Sequence, residues 1–126
     1  MKAFIVSIVI GVIIVAGSLL YTHHLETISE ELIVINDAIT VYIENGQYGE
    51  ADEKIQDLSD YLEKKRQILA TTGNHQELDT IQTNLAELKR FSNGKMQADA
   101  LSKCQVLDFL FHHLPQDYRL RWENIL

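Results

Sequence analysis

"SLLYTHHLETISEELIVINDAITVYIENG", residues 18–46, contains neither proline nor glycine before its last position. Within it Leu25, Ile28, Leu32, Ile35, Ile39 and Tyr42 follow one another at steps of 3, 4, 3, 4 and 3, which holds these apolar side chains on one seam of an α-helix. Nothing in the stretch breaks a helix until Asn45 and Gly46. Glycine just past a helix accepts the left-handed conformation that other residues resist, so "NG" ends the element there.

Traced backward, the same helix has no reason to start at Ser18. From Ala3 to Tyr21 the chain carries no charged residue, and Lys2 is the one formal charge before Glu26. At about 1.5 Å per residue this apolar run covers close to the roughly 30 Å of a bilayer's hydrocarbon. A cleaved secretory signal has a shorter apolar region, and "VAGS" at residues 15–18 offers small residues where such a cut would fall. The length favours a retained anchor: residues 1–21 as a transmembrane segment in contact with lipid through residues 3–21, continuous with an outer domain over residues 22–126. No Lys or Arg lies between Thr22 and Glu53, so the positive-inside rule keeps the amino terminus in the cytoplasm and places the domain outside the cell membrane. Ala3, Ser7 and Gly11 recur every four residues, a small-residue face that would let another membrane helix approach closely.

Traced forward, the seam spacing returns three times. Tyr48, Ala51, Ile55, Leu58, Leu62 and Leu69 mark a second helix ending at "TTG", residues 71–73. Asn74 followed by Glu77 forms a capping-box pattern for a third, which carries Leu78, Ile81, Leu85 and Leu88 inward and ends at Asn93 and Gly94. A fourth presents Ala100, Leu101, Cys104, Leu107, Leu110, Phe111 and Leu114, with Pro115 as its stop. Short connections force neighbours antiparallel. The predicted fold is all-α: one transmembrane helix continuous with an antiparallel up-and-down bundle of about four helices, closed by a short C-terminal tail. The two Asn-Gly turns give the halves a weak similarity, and "IENGQYGEADEKI" resembles the turn of a tetratricopeptide hairpin. The signature Trp, Tyr and Pro positions of such repeats are unfilled, which leaves common turn chemistry as the simpler reading.

Composition narrows the function classes. The chain has 126 residues and a net charge of −7. Lys2 set aside, a still more acidic domain repels nucleic-acid phosphates and anionic lipid, so neither is a broad-surface partner. With the single Cys104 no intrachain disulfide forms. His75 and Asp79 have the i, i+4 spacing of two metal ligands, but a helix start favours acidic side chains without an ion, and no metal or other cofactor is expected. Cys104, Asp108 and His112 form an i, i+4, i+8 ladder whose ends lie about 12 Å apart along the axis, too far for a base to reach a thiol proton. Cys104 therefore reads as a buried structural thiol. His23 and His24 fall where the span leaves the bilayer and read as interfacial anchors. In the tail, "YRLRW" alternates Tyr118, Leu120 and Trp122 with Arg119 and Arg121; these groups either close the base of the bundle or meet lipid headgroups or a partner.

"NHQELDTIQTNLAELKRF", residues 74–91, and "LDFLFHHLPQDYRLRWENIL", residues 107–126, give the chain a resemblance to a family of small Firmicutes membrane-anchored proteins, domain of unknown function 4363. The shared pattern is H-x-E-x-D-x-I, here His75, Glu77, Asp79 and Ile81; H-x-P, here His113 and Pro115; and a closing Asn124, Ile125 and Leu126. Where many members carry Trp in the second helix, this chain has "KKRQIL", residues 64–69. The resemblance implies a bacterial cell-membrane location, a helical outer region and a multispanning membrane protein as partner. It implies no reaction.

No phosphate-binding loop, nucleophile elbow or HExxH motif occurs, so an enzyme is not expected. The expectation is an extracytoplasmic interaction or adaptor protein that binds or stabilises a membrane partner through Ala3, Ser7 and Gly11 in the span and Tyr118, Arg119 and Trp122 in the tail. The alternative is a bundle that senses a small ligand or ion and signals through a membrane partner. Should the seam of residues 25–42 pair two copies instead of feeding its own bundle, the chain is a homo-oligomer.

Overall fold

In the computed structural model, backbone is described for residues 1–70 and 75–125, and side chains for residues 1–70 and 75–114. Five helices follow in order: α1 (Lys2–Glu44), α2 (Tyr48–Lys64), α3 (Arg66–Ala70), α4 (His75–Asn93) and α5 (Gln97–Ile125). The uninterrupted first helix is present, about 65 Å long at standard rise. Its two halves have opposite fates. Over residues 3–20 the apolar side chains touch nothing else in the fold, with Ile8, Ile13, Val15 and Leu19 all half or more exposed, and this half is long and apolar enough to cross a membrane. From Leu25 the same helix turns an apolar stripe into the core.

That stripe is wider than the seam of the sequence reading. Leu25, Ile28, Leu32 and Ile39 are buried as expected, Ile35 and Tyr42 are half-buried, and Ser29, Asn36 and Ile43 join the buried set. The reason is position: α1 packs against both α2 and α5, so it needs a broader buried face than a two-stranded seam. Each fully buried Leu or Ile there contributes about 1.5–3 kcal/mol of burial energy. The seam thus feeds the chain's own bundle. Leu78, Ile81, Leu85 and Leu88 of α4, and Ala100, Cys104, Leu107 and Phe111 of α5, complete the core.

α1 and α5 run antiparallel in one register. Gln97 donates to the Ile43 carbonyl at 3.0 Å, Asn36 donates to the Cys104 carbonyl at 2.9 Å, and the Ser29 hydroxyl donates to the Phe111 carbonyl, each step seven residues along both helices. Elsewhere the Ser92 hydroxyl donates to Asp52 at 2.6 Å between α4 and α2, and Lys103 of α5 pairs with Glu87 of α4. Tyr21 donates to the Ile68 carbonyl at 2.9 Å, tying the middle of α3 to the point where α1 leaves its apolar half.

Three details depart from the sequence reading. The second helix is interrupted at Lys65, giving α2 and α3 where one element was expected; no residue in the sequence marks that break. α5 continues through Pro115 to Ile125. A proline inside a helix withholds its N–H from the carbonyl four residues earlier, which here is Phe111, and that is the carbonyl Ser29 supplies. The cost of the missing bond is offset by a neighbouring helix, so the helix goes on. The Asn74 cap of the capping box lies outside the described residues.

The third departure is in the second turn. After α1, Gln47 N–H bonds the Tyr42 carbonyl at 2.8 Å and Gly46 N–H the Ile43 carbonyl at 3.0 Å, with Gly46 at φ +71°: a Schellman motif with glycine in the left-handed position. After α4 the same bonds recur from Met96 to Phe91 and from Lys95 to Ser92, so the left-handed residue is Lys95 at φ +56°, and Gly94 falls one position early. Packing sets the start of the motif, because half-buried Phe91 and buried Ser92 occupy the places of Tyr42 and Ile43. The turn is therefore improvable. Lys95→Gly is expected to raise stability by about 0.5–1 kcal/mol, the left-handed penalty of a side chain less the extra chain entropy of glycine, while Gly46→Ala lowers it by about 1 kcal/mol. Urea denaturation of the two variants checks both signs.

Candidate functional site

The α1–α5 contact is built from polar groups set into an apolar seam. Asn36, 1% exposed, gives its Nδ2 to the Cys104 carbonyl, but its Oδ1 has no hydrogen-bond partner among the described residues. Burying an unmatched amide oxygen costs about 1–3 kcal/mol. Beside it lies an open groove of about 330 Å³ between the helices, lined by Asn36, Asp37, Thr40 and Glu44 from α1 and by Gln105 and Asp108 from α5, with Leu101 and Cys104 at its floor.

The electrostatics of this face are one-sided. After Lys2, α1 has no Lys or Arg, while it carries Glu26, Glu30, Glu31, Asp37 and Glu44. On α5 up to Leu114 the single Lys or Arg is Lys103, which is engaged with Glu87 and Asn84 of α4, away from the groove. Asp108 has the imidazole of His112 at 3.6 Å. The carboxylates are strung along the groove and do not converge, for among the described residues no three His, Cys, Asp or Glu side chains gather closely enough to hold a metal ion.

Cys104 is 2% exposed, and burial pushes its thiol up, partly opposed by a hydrogen bond from Thr40. A buried, protonated thiol is a poor nucleophile. Burial likewise raises the Tyr61 hydroxyl well above its ordinary value, helped by a hydrogen bond and the negative charge of Glu31; this pair links α2 to α1. His112 keeps its Nδ1 on the Asp108 carbonyl at 2.8 Å, a local bond within its own helix. His75 and Asp79 are both exposed on α4, and His23 and His24 are exposed on α1 just before the core begins.

The span residues stand as follows. Ala3, Ser7 and Gly11 are exposed, and Ser7 returns its hydroxyl to the Ala3 carbonyl at 3.0 Å. Gly11 also lines a shallow apolar groove with Ile8, Val12, Val15, Ala16 and Leu19, on the side of the helix adjoining the Ala3–Ser7 face. Tyr118, Arg119 and Trp122 belong to the last part of α5, and their side chains lie outside the described residues. The sequence reading did not single out the α1–α5 groove. Its signal was a polar residue, Asn36, at a position that helical phase places beside Leu32 and Ile39, four residues after the one and three before the other.

A family model described as a domain of unknown function (DUF4363) matches residues 19–125. No curated protein and no solved structure matches the chain.

Proposed function

The chain belongs to the DUF4363 family, and on the evidence of its own residues we propose that it is a membrane-anchored, extracytoplasmic interaction protein that binds or stabilises a protein partner in the same membrane. One observation carries the reading: a single unbroken helix, α1, is exposed and apolar over its first half and forms the core of the bundle over its second. Lipid is the solvent that makes the first half stable. A bundle held rigidly at that level presents its sides to neighbours in the membrane plane.

The proposed topology is single-pass, with the amino terminus in the cytoplasm. Its support is Lys2 on one side of the apolar run and the absence of Lys and Arg on the other side until Lys54. Firmicutes origin and the cell membrane as location follow the family resemblance and belong to this proposal.

The experiment is the intact mass of the protein extracted from membranes in mild detergent, together with the composition of what co-purifies. The expected result is the full mass, including residues 1–20, and a stoichiometric membrane protein. A chain free in the medium that starts after about residue 18 refutes the anchor; a full-length monomer recovered alone refutes the adaptor.

A further inference from the structure

We propose that the end of α5, residues 115–125, is an interfacial helix that binds the outer surface of the bilayer, with the stripe Tyr118, Trp122 and Ile125 at the boundary of the acyl chains and Arg119 and Arg121 among the lipid phosphates. This goes beyond the adaptor reading, rests only on the anchor within it, and gives the chain a second hold on the membrane.

The first support is depth. The register of α1 against α5 matches Ile43 to Gln97, Asn36 to Cys104 and Ser29 to Phe111. One further step of seven residues brings Tyr118 level with Thr22, the residue that follows the apolar run. A bend at Pro115 shifts that level by only about 1 Å, because Tyr118 comes less than one turn later. The helix then continues to Ile125. The bundle thus delivers the last two turns of α5 to the plane where α1 meets the lipid headgroups.

The second is what α5 leaves uncovered. Beyond that plane, a straight α5 would run along α1 from Tyr21 to Val15. On α1, Leu19 lies five helical turns before Asp37 and Val15 about seven before Thr40, so both share the side on which Asp37 and Thr40 line the groove with α5. Yet Leu19 is 67% and Val15 60% exposed, and both border an open apolar groove of the span. The last turns of α5 therefore part from α1 at the membrane surface. Descent beside α1 would also carry Arg121 and Glu123 to the levels of Leu19 and Gly17, inside the hydrocarbon, where charged side chains are strongly disfavoured.

The third is the pattern of the segment. On a helix Leu114, Tyr118, Trp122 and Ile125 share one stripe at steps of 4, 4 and 3; Arg119 and Arg121 fall on its two flanks, and Gln116, Glu123 and Asn124 on the far side, with Leu120 the exception there. Tyr and Trp suit a membrane interface because each joins an apolar ring to a polar tip, and Arg keeps its stem among apolar groups while its head stays with phosphate. Asp117 and Glu123 stand four residues from Arg121 and Arg119, which leaves the segment without net charge. Apolar burial therefore drives the contact, and it needs no anionic lipid. That is the kind of lipid surface an acidic chain can bind.

The test places the full chain in vesicles of phosphatidylcholine alone and reads the fluorescence of Trp122, the one tryptophan of the chain. Bromine carried near the glycerol end of the acyl chains is expected to quench it strongly, and bromine near their methyl ends or iodide in the water only weakly. Tyr118→Glu is expected to abolish the shallow quenching and open Trp122 to iodide while the melting temperature of the bundle stays unchanged; Gln116→Glu, across the helix, leaves the quenching as it is. Arg119→Gln and Arg121→Gln together are expected to reduce the shallow quenching, and an unchanged profile overturns their phosphate role. For the native chain, strong iodide quenching puts the segment in water, strongest quenching by the deep bromine puts it along the span, and shielding from all three puts it within protein; each overturns the proposal, as does a fall in melting temperature with Tyr118→Glu. The anchor is read separately, by whether the chain stays with the vesicles in alkaline carbonate. A chain that stays while Trp122 escapes the shallow bromine refutes the interfacial helix and leaves the anchor standing. A chain that is stripped off, although Trp122 was quenched before, refutes the anchor and leaves the helix as a surface contact.

Discussion

Replacing Thr27 with proline is expected to lower the stability of the bundle by about 3 kcal/mol or more, a fall of at least about 10 °C in melting temperature for a domain of this size. Thr27 lies between Leu25 and Ile28, each 1% exposed, so the break would fall inside the core half of α1 and not in a linker. Proline removes the N–H that reaches the His23 carbonyl and sets its ring against that same oxygen. Thr27→Ala is the control. It loses the hydroxyl bond to the His23 carbonyl, 3.1 Å and exposed, and gains helix propensity, so its effect stays within about 0.5 kcal/mol. Thermal unfolding of both variants in mild detergent, followed by circular dichroism, decides the matter. Equal melting of the two would mean that the anchor and the bundle are joined by a flexible hinge, and the rigid presentation on which the adaptor reading depends would be lost.

Continuity of α1 was legible because it needed only the absence of breakers and a seam of apolar spacing. The core was legible wherever burial follows apolar character, as with Leu32, Ile81 and Leu107. What stayed hidden shares one cause: in each case a group on one helix answers a need on another. Ser29 and Asn36 look like surface residues until α5 is laid against them. Pro115 reads as a stop until Ser29 is known to serve Phe111. The left-handed residue of the second turn reads as Gly94 until Phe91 and Ser92 are placed by packing, which moves it to Lys95. The groove is a further instance, since Asp37 and Glu44 look like an ordinary solvated face of α1, and Asp108 like half of a local pair with His112. Only their assembly beside an unanswered buried oxygen distinguishes them. Ala3, Ser7 and Gly11 stay a proposal of the sequence, for an exposed face leaves no mark on the fold of one chain.

The partnership of Ser29, Phe111 and Pro115 predicts a specific non-additivity. Ser29 is 4% exposed, and its hydroxyl is the donor that reaches the Phe111 carbonyl. Ser29→Ala leaves that buried oxygen without a donor and is expected to cost about 1–3 kcal/mol. Pro115→Ala restores the backbone N–H that a regular helix would send to Phe111, and it is expected to stabilise α5 by up to about 3 kcal/mol. With both changes present the carbonyl has its helical donor again, so the serine hydroxyl is no longer needed. The cost of Ser29→Ala should then fall to about 0.5 kcal/mol, giving a coupling of roughly 1–2 kcal/mol between residues on different helices. Urea denaturation of the native chain, the two single variants and the double variant measures this term. Additivity within about 0.5 kcal/mol would show that the hydroxyl does not replace the missing N–H, and the continuation of α5 past Pro115 would need another cause. A coupling of the expected size has a structural consequence beyond the energy. α5 can pass its proline only while Ser29 is held opposite Phe111, so the far end of α5 keeps its helical path only when α1 and α5 are docked in this register. The segment that carries Tyr118, Arg119 and Trp122 would then be formed by the assembled bundle, and loosening α1 from α5 at the groove would unmake it.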